Sequence, residues 1–275
     1  MLVLVAALVL VRVTPAGQAL VTDRSAVGGV VAERVERTDV PYPDVLAKAL
    51  PASIERIVQA ALADAEAHPR GDVPLVVFIG DSQLRATFDD VLGPTPSGFH
   101  AAQDLEGVQA DTLVLTEAAF RTFRDAHPLM EQILALRPTR LVLQAVLLVP
   151  NARYLLGRTK RLHRRGGGGR ADRLRAQWEQ ETLPTPGPDL EVARYWLARA
   201  RAQGVDVIVV EVPPSERVHE VAPSGYFRAR QALITPLLEG PRDRFRRVAL
   251  KLPDDHFTDG RHLSPAGRAV VRPWL

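Results

Sequence analysis

The sequence predicts an α/β fold in which a parallel sheet is covered by helices on both faces. Three observations carry this reading. From Gly71 onward, five short apolar runs alternate with helical patterns. The first run ends in Gly80-Asp81-Ser82, and the last is followed by Asp259-Gly260-Arg261-His262. Strands buried on both faces of a parallel sheet read as continuous apolar stretches, and these do.

The elements follow in chain order. Tyr42-Pro43 to His68 has the apolar spacing of an amphipathic helix, with Pro51 breaking or restarting it. The five expected strands are Leu75–Ile79, Thr112–Leu115, Leu141–Val146, Val205–Val210 and Val248–Leu250. Helical patterns lie near Gln83–Val91, Ala118–Leu136, Leu190–Gln203 and Tyr226–Leu238. A last helix is expected after Ser264-Pro265, with Ser264 as N-cap and Pro265 in the first turn. In such sheets ligands bind at the C-terminal strand ends, and Gly80 to Ser82 sits at one.

Three domain-level segments are expected. Residues 1–19 form a signal or anchor segment, 20–70 a helical extension without catalytic signature, and 71–275 the α/β domain. Met1 to Val13 is apolar except for Arg12, and small residues follow at Ala16, Gly17 and Ala19. The run is shorter than the roughly 20 residues of a membrane span and lacks a basic leader region. Export or membrane anchoring is the expected localisation; a buried first strand and a wrongly chosen start are the alternatives. An Arg/Gly-rich insertion near 157–176 interrupts the domain, with four glycines at 166–169. It reads as a solvated insertion or, alternatively, as a mobile flap that binds anions.

Composition narrows the chemistry. The chain of 275 residues is 46% hydrophobic and 24% charged, enough for a sizeable core. It has no cysteine, which excludes disulfides, thiolate metal sites and a cysteine nucleophile. The formal charge is +3, and 32 of the 35 basic residues are arginine. That skew reads as the imprint of a GC-rich genome, which discounts the arginine cluster at 158–175 as evidence for nucleic-acid binding; an RNA- or anion-binding protein acting through that cluster is the second alternative. The cluster also lacks the interleaved aromatics that single-strand binding uses.

Ser82, expected at the start of a helix, has the setting of a nucleophile, because helix N-terminal N–H groups help stabilise an oxyanion. Seven histidines compete for the role of base. Only His262 has an Asp three residues ahead, Asp259, and a capped helix just behind. Such a turn lets the carboxylate fix the imidazole tautomer and stabilise the imidazolium. His256, preceded by Asp254 and Asp255, is the runner-up. The same acidic and histidine residues offer a local metal site as a less favoured alternative.

Gly80-Asp81-Ser82 and Asp259-Gly260-Arg261-His262-Leu263-Ser264 resemble the first and last blocks of the SGNH (GDSL-type) hydrolases. The resemblance covers about residues 72–275, with serine first and histidine last. It implies a flavodoxin-like three-layer α/β/α fold with a five-stranded parallel sheet. It also implies ester chemistry by Ser82, Asp259 and His262, with no metal or organic cofactor. The family's oxyanion hole uses the serine N–H, a glycine N–H after the second strand and an asparagine after the third. Here Leu115 is followed by Thr116-Glu117-Ala118-Ala119, so the Ala118 N–H takes the second place. Asn151 is the sole asparagine and the candidate for the third, with Gln144 as substitute. Arg85, one helical turn past Ser82, is a candidate for holding an anionic substrate.

The arrangement is most similar to the exported or membrane-tethered branch that acylates cell-surface polymers. Hydrolysis or acyl transfer on small acyl esters of a carbohydrate is the expected activity, and the expected partner is that acylated carbohydrate or small ester. The alternative is an inactive module that binds a glycan or a membrane acyltransferase partner.

Overall fold

The computed structural model describes residues 52–88, 97–105, 107–116, 122–151, 176, 178–212, 215–247, 252–258 and 262–271. Its centre is one six-stranded sheet: β1 (Leu75–Ile79), β2 (Ser97–Leu105), β3 (Val108–Leu115), β4 (Arg140–Gln144), β5 (Asp206–Glu211) and β6 (Arg244–Arg247). The spatial order is β2-β3-β1-β4-β5-β6. Every neighbouring pair is parallel except β2 with β3. Without β2, the order in chain numbering is 2-1-3-4-5, the doubly wound flavodoxin-like order. The winding reverses between β1 and β4, and that crevice is where such folds bind ligands.

Side-chain alternation along the strands builds two cores. Leu75, Val77 and Ile79 of β1, with Leu141 and Leu143 of β4 and Val207 and Val209 of β5, face one cluster. The helices α1 (Ala52–Ala67), α4 (Met130–Ala135) and α6 (Pro188–Ala202) close it. Val76, Phe78, Val142, Ile208 and Val210 face the opposite cluster. There α2 (Ser82–Thr87) contributes Leu84, and α9 (Pro265–Val271) contributes Val271. The result is the expected three-layer fold.

α1 spaces Val58, Ala61, Leu62 and Ala65 along one stripe, all buried in the first core. The chain leaves the helix just before Pro69, which disfavours a helical His68. This helix therefore packs on the sheet with the rest of the domain. The part of the expected helix from Tyr42 to Pro51 lies outside the described residues. So do the 1–19 segment, most of the Arg/Gly-rich insertion and the expected strand Val248–Leu250.

Five features differ from the sequence reading. β2 is an antiparallel edge strand that was not expected. Its alternation breaks at a bulge between His100 and Gln103, where Ala102 takes φ +50°. The buried carboxylate of Asp111 accepts from the Ala102 N–H at 2.9 Å and so fixes the bulge. β6 precedes the expected run, at Arg244–Arg247. A sheet edge tolerates arginines such as Arg244, Arg246 and Arg247, which an apolar criterion passes over. β4 stops at Gln144, and Ala145–Leu148 turns into a short helix, α5. The stretch expected as one helix to Leu136 is broken into α3 (Phe123–Ala126), a 3-10 turn (His127–Leu129) with Pro128, and α4.

Beyond β5 come α7 (Glu216–Val221) and α8 (Tyr226–Ile234), the first of which the sequence reading also lacked.

Candidate active site

β1 delivers the Gly80-Asp81-Ser82 turn. The Gly80 N–H donates to the Leu115 carbonyl at 3.1 Å, which extends the parallel ladder past the strand end. A Cβ on Gly80 would lie 2.6 Å from Leu84 Cδ2 and 2.8 Å from Gln144 Oε1, so only glycine fits. Asp81 is the N-cap of α2; its carboxylate accepts from the Gln83 N–H at 2.8 Å. Ser82 is thereby the first helical residue, where backbone N–H groups have no intrahelical acceptor. Leu84, Ala86 and Thr87 bury the rest of the helix.

His262 reaches this turn from the last loop of the described residues. His262 Nε2 lies 2.9 Å from Ser82 Oγ. The loop that carries it is tied on both sides. Phe257 and Leu263 form an antiparallel bridge and are buried in the second core. The Thr258 N–H and hydroxyl both donate to the His262 carbonyl, at 2.8 and 3.1 Å. Ser264 caps α9 as expected: its Oγ accepts from the Gly267 N–H at 3.3 Å. A Cβ on Gly267 would sit 2.1 Å from the His256 carbonyl oxygen, so α9 can approach the loop only with glycine there. Arg268 then donates to the Ala86 carbonyl at 3.4 Å, which links α9 to α2. His256, the runner-up base, instead pairs with Asp255 at 2.8 Å.

Thr258 was not singled out in the sequence; a hydroxyl residue directly before Asp-x-x-His is the signal that would have found it. Thr258→Val keeps the backbone bond to His262 and loses the hydroxyl bond. One lost hydrogen bond of this kind costs about 1 kcal/mol. Turnover of a small ester is therefore expected to fall by at most about tenfold, with Thr258→Ser close to the unmodified protein in steady-state kinetics.

The remaining expected residues divide. Asp259 and Ala118 lie outside the described residues. Arg85 is half-buried on α2, one turn past Ser82. Gln144 is buried beneath the Gly80-Asp81-Ser82 turn, where its Oε1 accepts from the Asp81 N–H at 2.7 Å. Its amide is bound to the turn itself, which departs from the expected role as an oxyanion donor.

Asn151 is buried in a polar network with two residues of α8. Its amide oxygen accepts from the Tyr226 hydroxyl at 2.8 Å and from Arg230 Nη2. Arg230, on α8, also donates to Glu211 Oε1 at 2.9 Å, and its guanidinium lies 4.8 Å from the Tyr226 ring centroid. Burial pushes the Glu211 carboxyl up, against the pull of Arg230 and Arg247. Burial alone lowers Arg230, but Glu211 and Tyr226 more than offset it and keep the guanidinium charged. Arg230→Met strips Glu211 of its bonded counter-charge. A loss of about 3–5 kcal/mol is expected, read as a lower urea midpoint at neutral pH.

A doubly wound α/β sheet thus carries Gly-Asp-Ser at the end of its first strand, with a histidine from the last loop seated on that serine. No family model matches the chain, and no curated protein sequence matches it. Among solved structures, the chain is similar to a GDSL-like lipase from Bacteroides thetaiotaomicron, with 13% identity and a TM-score of 0.44 over 79% of this chain and 94% of that one. It is similar to a protein assigned as an acylhydrolase from Bacteroides fragilis, with 13% identity, a TM-score of 0.46 and coverage of 82% and 95%. It is also similar to an acetylxylan esterase from Geobacillus stearothermophilus, with 13% identity, a TM-score of 0.39 and coverage of 73% and 91%.

Proposed function

We propose that the protein is a serine-dependent ester hydrolase or O-acyltransferase. The observation that carries this reading is the 2.9 Å contact between Ser82 Oγ and His262 Nε2 at the C-terminal end of β1. Ser82 Oγ attacks the ester carbonyl while His262 takes its proton. The tetrahedral oxyanion collapses, and the alkoxide leaves with the proton from His262. Water, or a sugar hydroxyl, then attacks the acyl-enzyme; His262 removes its proton and returns it to Ser82. Asp259 is assigned to orient His262.

The Ser82 and Ala118 N–H groups and the Asn151 amide are the proposed oxyanion donors. Asn151 enters through the nitrogen end of its amide, since its oxygen is held by Tyr226 and Arg230. Arg85 is assigned to an anionic part of the substrate. The proposed substrates are small acyl esters, acetyl first, of a carbohydrate or cell-surface polymer. Labelling with a fluorophosphonate probe tests the mechanism: modification at Ser82 supports it, and silence from folded protein overturns it. The second reading is an inactive module that binds a glycan or a membrane acyltransferase. It is favoured by the absence of the family's glycine after Leu115.

We also propose export or membrane anchoring, on the apolar segment Met1 to Val13. N-terminal sequencing from the native host is expected to find a start near Leu20 if the segment is cleaved, or an upstream start with a longer apolar run if it anchors. Cytoplasmic protein that begins at Met1 would overturn this placement.

A further inference from the structure

Gln144 ends β4, and Ile79 of β1 pairs with Leu143 beside it, so Gln144 stands opposite Gly80 across the reversal of the sheet. By alternation from Val142 it points to the layer that holds α2 and α9. It is 2% exposed. The Asp81 N–H can only donate, so the amide end facing it must be oxygen. The Gln144 Oε1 is indeed 2.7 Å from that nitrogen. The amide nitrogen is thereby turned toward Gln83 Oε1, 3.4 Å away. The same oxygen is one of the atoms that leave no room for a Cβ on Gly80.

We infer that Gln144 is a positioning residue: its side-chain oxygen anchors the Asp81 N–H, and with it fixes the Gly80-Asp81-Ser82 turn that aims Ser82 at His262. The inference rests on the proposed serine mechanism for its catalytic consequence, but the anchored turn does not depend on it. The Asp81 N–H is a buried donor at the switch point, and Gln144 Oε1 accepts from it. With its acceptor removed, the turn would have to move to satisfy it. A shift of about 1 Å at a nucleophile costs about a hundredfold in rate.

Two variants separate this role from donation to an oxyanion. Gln144→Met keeps length and volume but has no acceptor. Gln144→Glu keeps an acceptor oxygen at the same reach and loses the NH₂ group. With p-nitrophenyl acetate, Gln144→Met is expected to lower kcat about a hundredfold with KM little changed. Fluorophosphonate labelling should slow in step. Gln144→Glu is expected to stay within about tenfold of the unmodified protein. Backbone hydrogen exchange at Asp81 should accelerate in Gln144→Met and stay slow in Gln144→Glu.

Equal damage in both variants would overturn the inference, because the nitrogen would then be the working end. Unchanged kcat together with unchanged Asp81 exchange in Gln144→Met would overturn it as well. If Gln144→Met does not fold, Gln144→Glu alone decides: a hundredfold loss from a folded Gln144→Glu overturns the inference, and near-normal kcat with slow Asp81 exchange supports it. Failure of the unmodified protein to label sinks the serine mechanism instead, and Asp81 exchange in the two variants still decides the role of Gln144.

Discussion

Ser82→Ala removes turnover of a small activated ester and leaves the fold in place. The substitution deletes one oxygen, and the hydrogen bond given up is the one to His262 Nε2. The helix it opens is capped by the Asp81 side chain, which the change does not touch. Alanine is the best helix former, so α2 loses no propensity. The half-buried site is filled by the retained Cβ. Stability is therefore expected to change by less than about 1 kcal/mol. Activity falls by about a millionfold where a serine and its base act as a unit, down to what binding and oxyanion donors supply. Steady-state kinetics beside a urea melt separates the two quantities. A variant with unmodified turnover would end the serine mechanism. A variant that is both inactive and unfolded would show that the hydroxyl is structural.

How far the sequence revealed this molecule depended on whether a residue's role was local. β1 was legible because all five residues from Leu75 to Ile79 are buried, and Gly80 ends the run sharply. The contact of Ser82 with a histidine 180 residues away was legible through chemistry: Asp259-x-x-His262 followed by a capped helix left few rivals. Ser264 as the cap of α9 was legible for the same local reason.

Less legible were elements whose residues serve an edge or a partner. β2 alternates poorly because its bulge is set by Asp111 on the next strand, and β6 is written in arginine because it has a neighbour on one side. Gln144 was the hardest case. An amide presents a donor and an acceptor, and nothing nearby in sequence says which end works. The deciding group is the Asp81 N–H, 63 residues earlier. Asn151 shows the same limit, since the residues that hold its oxygen are Tyr226 and Arg230, on a later helix.

The two histidines of the last loop should behave very differently. His262→Ala deletes the ring whose Nε2 faces Ser82 Oγ, and with it the only base the described residues bring to that oxygen. A loss of about a millionfold in kcat is expected, on the scale seen when a nucleophile's base is removed. His256 has a different task. Its carbonyl accepts from the Ser264 N–H at 2.9 Å and sits where a Cβ on Gly267 would be, while its ring pairs with Asp255. The carbonyl survives substitution, so His256→Ala keeps the loop tied to α9 and is expected to cost less than about tenfold. Asp259→Ala supplies the third comparison. Alone it should cost about ten-thousandfold, and added to His262→Ala almost nothing, because an orienter has no effect once its base is gone. kcat/KM for one activated ester across the three single variants and the double variant reads all of this. Additive losses would show that Asp259 acts apart from His262. An inactive His256→Ala beside an active His262→Ala would move the base to the other ring and undo the assignment.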